Sequence, residues 1–442
     1  MMLMYISRDS YLDKLKASIG NGMVKIVTGP RRCGKSFLLF HIFKDYLLSS
    51  GVNNDHVIEL SLDDVKNVKY RNPIDLASYF KSKVKDSSKY YFLIDEIQFC
   101  ESVDNPAFKG YKTEDGNVPK VTFYDVLNGF LGLKNVEVFV TGSNSHMLSS
   151  DIATEFRGRG WQIRIYPLTF KEFKEANAQR NSDTFSLWKQ YYLYGGLPQV
   201  SLLPDEPSKR EYLKQVFENT YINDIIERYS LRSDSAIRDL VKVMATNVGS
   251  IVNPTKIANT FKSEMKSAIQ PATVSKYIEH MEDSFLLNSA CRYDLTGRRF
   301  IGASCKYYFE DMGLRYAASS FVGKDQEPHY MENVIYNELL YRGYHVSVGA
   351  IPVFDHSSGK TQRGSLEVDF IAEKFDETIY IQSALYIPDD EKMEQELRPL
   401  RKIGNSFKKV LITKYEGNGA YDEDGILHLN LFDFLLNEKS LD

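Results

Sequence analysis

The stretch "TGPRRCGKSFLLF", residues 28–40, decides how the first half of the chain is read. Gly29 and Gly34 stand five apart, and Lys35 and Ser36 follow at once. Upstream, Val24-Lys25-Ile26-Val27-Thr28 has the length and β-branched content of a short buried strand. Downstream, the apolar positions continue from Phe37 through Ile42 and Phe43 to Leu47, which is helical length. The stretch is therefore a turn that joins a strand to a helix.

Such a turn leaves several backbone N–H groups unpaired around one concavity, and the helix N-terminus adds partial positive charge. That chemistry suits a polyphosphate. The spacing is GxxxxGK[ST] in full, with Gly29, Pro30, Arg31, Arg32, Cys33 and Gly34 forming the loop and Phe37 opening the helix behind Lys35 and Ser36. Lys35 is placed to reach the β and γ phosphates of ATP, and the Ser36 hydroxyl to coordinate Mg²⁺. The bland reading is a glycine turn that holds nothing.

The next stretch narrows the chemistry. "KYYFLIDEIQFC", residues 89–100, is an apolar strand that ends in Asp95 and Glu96. Asp95 stands where a carboxylate would hold Mg²⁺ opposite Ser36, and Glu96 where a second would polarise an attacking water. Phosphate transfer to a substrate hydroxyl does not need that adjacent second acid. A third strand, residues 136–140, runs into "TGSNSHM", where Ser143 or Asn144 suits a γ-phosphate sensor. "EFRGRG" then offers Arg157 and Arg159, of which an arginine given to a neighbouring copy's γ phosphate would stabilise transition-state charge.

In this order the boxes resemble the AAA-type P-loop ATPases of prokaryotes, in the branch where GPRRxGKS, a DEIQ box, TGSNS, GRG, "YPLTFKEF" and "YGGLPQV" follow one another. The resemblance covers about the first 200 residues. It implies ATP and Mg²⁺ as cofactors, Gly29, Gly34, Lys35 and Ser36 as the nucleotide loop, and Asp95 and Glu96 as metal and water carboxylates. It further implies Ser143 or Asn144 as sensor and Arg159 as a finger acting in trans within a homo-oligomer. The insertion at residues 100–121 departs from a compact core.

Alternation of strands and helices predicts an α/β fold with a doubly wound parallel sheet over residues 1–167: strands at 24–28, 57–62, 91–95, 136–141 and 161–166, helices at 35–48, 74–85 and 122–132. Residues 168–237 read as a helical lid or connector, with Tyr212, Val216, Phe217, Tyr221, Ile225 and Ile226 on one face. Residues 238–318 read as a winged helix, with Ile257, Ala258 and Phe261 inward on one helix and Val274, Tyr277, Ile278, Met281 and Phe285 inward on the next. A hairpin carries Arg298 and Arg299 where a wing would touch DNA phosphates. Residues 238–315 hold 11 basic and 8 acidic residues, a modest local excess, so a winged helix used only for packing stays open beside DNA binding.

Residues 319–442 form the last region. The family resemblance implies a fold similar to the PD-(D/E)XK nucleases, with Glu338 and Asp369 matching the helix acid and strand acid. At the third box the chain has Gln382-Ser383-Ala384, which lacks both the acid and the lysine. Residues 360–442 hold 17 acidic and 11 basic residues, a balance that repels DNA. The expectation is a degenerate module serving contacts.

Bulk composition is that of an ordinary globular chain, 43% hydrophobic and 26% charged, with a net charge of -4 and no long apolar run for a membrane span. Cys33, Cys100, Cys291 and Cys305 are scattered, without metal spacing, and read as reduced thiols of a cytoplasmic chain. Three activities remain open at this point: a DNA-linked ATPase switch or motor, a slow-turnover ATP-binding scaffold for a protein partner, and a nuclease.

Overall fold

Strand β1 (Val24–Thr28) is buried at every position, as are β3 (Tyr90–Asp95) and β4 (Val136–Gly142). Runs buried on both faces belong in the middle of a parallel sheet covered on either side by helices. They form one here with β2 (Val57–Ser61) and β5 (Gly160–Arg164), in the order β2-β3-β4-β1-β5, every pair parallel. The expected strands and helices of this region are all present. The computed structural model describes residues 6–108, 117–143, 155–156, 158–180, 183–231, 234–264, 269–355, 362–417 and 419–442.

The chain divides into two compact units: residues 1–166 with 283–285, and residues 167–282 with 286–442. In the first, α1 (Asp9–Ser18) precedes β1, and α2 follows it as Lys35–Phe37, a π-helical stretch Leu38–Phe43, and Lys44–Ser49. Helices α3 (Pro73–Lys83) and α4 (Phe123–Phe130) start on side-chain caps from Asn72 and Thr122. Phe80, Phe92 and Phe130 pack edge-to-face or tilted in the core between α3, α4 and the sheet. Lys25 in β1 and Glu137 in β4 are charges inside buried strands, and they pair with one another, with Lys89 3.0 Å from the same carboxylate. The described ends of the 100–121 insertion form a two-residue ladder, Val103–Asp104 with Lys120–Val121.

The second unit opens with helices α5 (Phe170–Asn177) and α6 (Thr184–Tyr194). Helix α7 runs as Glu206–Gln215, a π-helical stretch Val216–Ile222, and Asn223–Tyr229. Its buried face is Leu213, Val216, Phe217, Tyr221, Ile222 and Ile225, which corrects the expected face at both ends. Tyr212 and Ile226 are only half-buried. A π-turn holds more residues than the regular 3.6, so the apolar stripe rotates where the helix loosens.

Helix α8 (Asp234–Thr246) leads to β6 (Ile251–Val252), α9 (Pro254–Ser263), α10 (Pro271–Asp283) and the hairpin β7 (Leu287–Asp294) and β8 (Arg299–Phe309). Asn253 caps α9 on the Lys256 N–H, and Ile257, Ala258, Phe261, Val274, Tyr277, Ile278, Met281 and Phe285 are buried as expected. The cysteine expectation is corrected: Cys291 and Cys305 face each other across the hairpin and form a disulfide, while Cys33 and Cys100 are buried thiols outside any disulfide. They looked scattered because 14 residues separate them, but a hairpin folded at Arg298 puts both at the same distance from its turn. The reduced-thiol argument for a cytoplasmic chain falls with that pairing.

Helices α11 (Met312–Ala318) and α12 (Glu327–Tyr341) follow, then β9 (His345–Asp355), β10 (Gln362–Lys374), β11 (Glu377–Ala384), α13 (Asp390–Lys402), β12 (Lys408–Thr413), β13 (Ala420–Tyr421) and β14 (Ile426–Asn430). These strands and the hairpin form one nine-stranded mixed sheet, β13-β14-β12-β11-β10-β9-β7-β8-β6. Among the described residues no helix is long and apolar enough to cross a membrane.

The "YGGLPQV" box has a structural use. Asp311 is buried and accepts from the Gly196 N–H at 2.7 Å and the Leu314 N–H at 3.0 Å. Burial pushes its carboxyl up to about 6 even against four backbone donors. A Cβ at Gly195, whose φ is +77°, would lie 2.3 Å from that carboxylate, and one at Gly196 2.3 Å from the Leu168 carbonyl. Asp311→Ala should therefore lower the stability of the chain by about 2–3 kcal/mol, because several buried amides lose their acceptor. Equilibrium denaturation reads this directly; an unchanged midpoint would show that the carboxylate does not hold the glycine pair.

Candidate nucleotide site

The loop after β1 closes tightly against β5. Gly29 has φ +145°, and a Cβ there would stand 2.1 Å from the Ile165 carbonyl oxygen, so a larger residue cannot occupy the position without moving backbone. Arg32 and Gly34 also take positive φ, which turns the chain sharply into α2. The Lys35 ammonium is buried and donates to the Gly29 and Pro30 carbonyls at 3.0 and 2.8 Å. It thus lies across the mouth of the loop. Arg31 is half-buried, Arg32 and Phe37 are exposed, and Cys33 is buried behind the loop.

Arg8 supports the loop from the N-terminal side. Its guanidinium donates to the Tyr166 carbonyl at 2.7 Å and to the Cys33 carbonyl at 3.4 Å, and it stacks over Tyr11. The sequence reading did not single out Arg8. Nothing in its local pattern signals that role, because its partners lie 25 and 158 residues away.

Asp95 collects hydroxyl groups from three neighbouring segments. Ser36 Oγ donates to Oδ1 at 3.0 Å, Thr141 Oγ1 donates to the same oxygen, and Ser61 Oγ reaches Oδ2 at 3.3 Å. Burial pushes the Asp95 carboxyl above the usual range, while Thr141 and Ser36 pull against that shift. Ser61 also donates to Asp63, which adds a third carboxylate beside Asp95 and Glu96. The sequence reading missed Ser61 and Asp63, and the parallel pairing Ser61↔Asp95 is what brings them in.

Glu96 takes a left-handed conformation, φ +53° and ψ +53°, uncommon for a residue with a Cβ. Its backbone N–H donates to Thr141 Oγ1 at 2.9 Å, so one threonine holds both acids. The Glu96 carboxylate accepts from Gln98 and from Ser143 Oγ at 3.2 Å. Lys35, Ser36, Asp95, Glu96 and Ser143 are thus gathered at the C-terminal ends of parallel strands, the edge where such sheets hold ligands. Arg159 is exposed, and its backbone carbonyl accepts from Val24. Asn144 and Arg157 lie outside the described residues.

A model of the AAA domain matches residues 21–174, and one of a domain of unknown function, DUF8612, matches residues 186–325. An uncharacterized protein of Haemophilus influenzae is 34% identical over 441 residues, covering 98% of each chain. The chain belongs to the AAA-type P-loop ATPase family. A second relative, an uncharacterized protein of Methanocaldococcus jannaschii, is 26% identical over 425 residues, covering 92% of this chain and 86% of that one. Among solved structures, the Aeropyrum pernix ORC1 protein in complex with DNA is similar at a TM-score of 0.30 and 12% identity, covering 72% of this chain and 93% of that one. Cdc6p from Pyrobaculum aerophilum gives 0.30 and 10%, covering 73% and 96%.

The acids expected at a nuclease-like centre of this AAA-type chain do not meet. Glu338 is buried against Arg342 at 2.8 Å, and burial pushes its carboxyl up to about 7. Asp369 lies instead with Glu332, Glu367 and Lys306, and burial beside Glu332 pushes it up to about 7. Residues 332 and 338 are six apart on α12, which sets them roughly 120° apart around the helix. Among the described residues no group of three or more His, Cys, Asp or Glu side chains is arranged to hold a metal ion.

The Asp95 junction gives a testable pH dependence. A cation needs the ionised carboxylate, and a raised pKa lets protons compete from a higher pH than at an exposed aspartate. The folded chain takes up this proton more readily than the unfolded one, so at this residue acidification weakens cation binding, not the fold. Thr141→Val should cost about 10- to 100-fold in Mn²⁺ affinity in the presence of nucleotide. Titration calorimetry between pH 5 and 8 checks both; an affinity flat with pH and unmoved by the substitution would exclude the reading.

Proposed function

We propose that the first unit binds ATP with Mg²⁺ and hydrolyses it. What carries this reading is the 3.0 Å bond between the Ser36 hydroxyl and the buried Asp95 carboxylate, at the mouth of a loop whose lysine lies across it. Lys35 would bind the β and γ phosphates, and Ser36 and Asp95 would hold the ion. Glu96 would orient the attacking water, with Ser143 or Asn144 sensing the γ phosphate and Arg159 completing the site of a neighbouring copy in a homo-oligomer. The cation supplies charge neutralisation for the phosphates when bound.

We further propose that turnover acts on DNA through residues 238–318, read as a winged helix, with residues 168–237 as connector and residues 319–442 as a nuclease-like module that does not cut. Arg298, Arg299 and Phe300 are exposed at the hairpin tip, and Lys276 and Glu279 face outward on α10. A basic tip of this kind suits phosphate contact. In the tail, the Gln382 side chain is engaged by the Asp369 N–H at 3.3 Å and donates to Glu396 at 3.1 Å, and Ala384 is buried.

Glu96→Gln should keep ATP·Mg binding and lose about 10²–10⁴-fold in hydrolysis, whereas Lys35→Ala should abolish nucleotide uptake in calorimetry. Little change in turnover with Glu96→Gln would favour the scaffold reading. Replacing Arg298 and Arg299 with alanine should weaken duplex binding across sequences and lower the salt slope by about two. Unchanged duplex affinity would move the DNA contact elsewhere or remove it.

A further inference from the structure

The second unit contains a carboxylate cluster with its own cation. Lys306 on β8 is 3% exposed at its side chain, and its ammonium lies 2.7 Å from Glu367, 3.1 Å from Glu332 and 4.0 Å from Asp369. The acids come from two elements: Glu332 from α12, and Glu367 and Asp369 from one face of β10. Two of the acids also accept from neutral donors. Tyr308 donates to Glu332 at 2.8 Å, and the Ser383 N–H and Oγ both donate to Asp369 at 2.9 Å. Burial alone would push the Lys306 ammonium down, but the three acids outweigh it and hold it above its ordinary range, so it stays charged.

A nuclease-like fold implies a divalent ion between a helix acid and a strand acid, and these residues do not fit one. The volume between Glu332 and Asp369 is crossed by a protonated amine, and a cation placed there would meet like charge a few ångströms away. We propose that Lys306 is the resident cation of this cleft: its ammonium takes the place of a divalent metal, joins β8 of the hairpin to α12 and β10, and keeps the cluster free of metal. The surplus negative charge of the cluster would then make it a divalent site only when the lysine is removed.

The test uses the full chain. In EDTA, Lys306→Ala should melt roughly 5–10 °C below wild type, because buried carboxylates lose their counter-charge. Mn²⁺ should restore much of that loss, and Lys306→Ala/Glu332→Gln/Asp369→Asn should show no such restoration. A Lys306→Ala chain that melts like wild type, or that gains nothing from Mn²⁺, overturns the proposal. If Lys306→Ala does not fold, the wild type decides: its Mn²⁺ stoichiometry by electron paramagnetic resonance should be the same in Asp369→Asn. A bound ion present in wild type and lost in Asp369→Asn overturns the proposal.

Discussion

Asp95 is the constraint around which the first unit is organised. One buried carboxylate accepts from Ser36 at the start of α2, Ser61 at the end of β2 and Thr141 at the end of β4. A carboxylate in a dry site must find such donors or lose its charge. Meeting that need fixes the relative height of three strand ends and the first turn of a helix. It also sets Glu96, since the threonine that serves Asp95 receives the next backbone N–H. The positive φ at Glu96 follows from this arrangement: the chain must turn at once to leave both acids on the same edge.

The loop and the acids are two halves of one device. Gly29 is pressed on the Ile165 carbonyl, and Arg8 ties the loop to Tyr166, so the turn is held from β5 and from the segment before α1. The loop backbone is thus held in place, while the Lys35 ammonium is engaged by the Gly29 and Pro30 carbonyls.

Much of this was legible in residue order. GxxxxGKS gave the turn because its glycines and its lysine each answer a local geometric need, and local needs leave local patterns. The largely apolar strands gave the parallel sheet for the same reason. What was not legible depended on register or on partners far along the chain: Ser61 and Asp63 beside Asp95, Arg8 behind the loop, Cys291 across from Cys305, and Lys306 among the acids of α12 and β10. Glu338 was misplaced because a linear motif carries no helical phase. The face of α7 was misplaced at its ends because regular periodicity does not foresee a π-turn.

The shared nine-stranded sheet has a mechanical consequence. β7 of the hairpin pairs in parallel with β9, through Val348 opposite Arg292 and Ala350 opposite Asp294. A hairpin that hangs from a flexible tether can pivot while its neighbours stay still. This hairpin is laced into the same plate as the tail strands at the end of β7 beside its turn, so bending it there means bending the plate. The turn that carries Arg298 and Arg299 is thereby linked through β9 to β10 and β11.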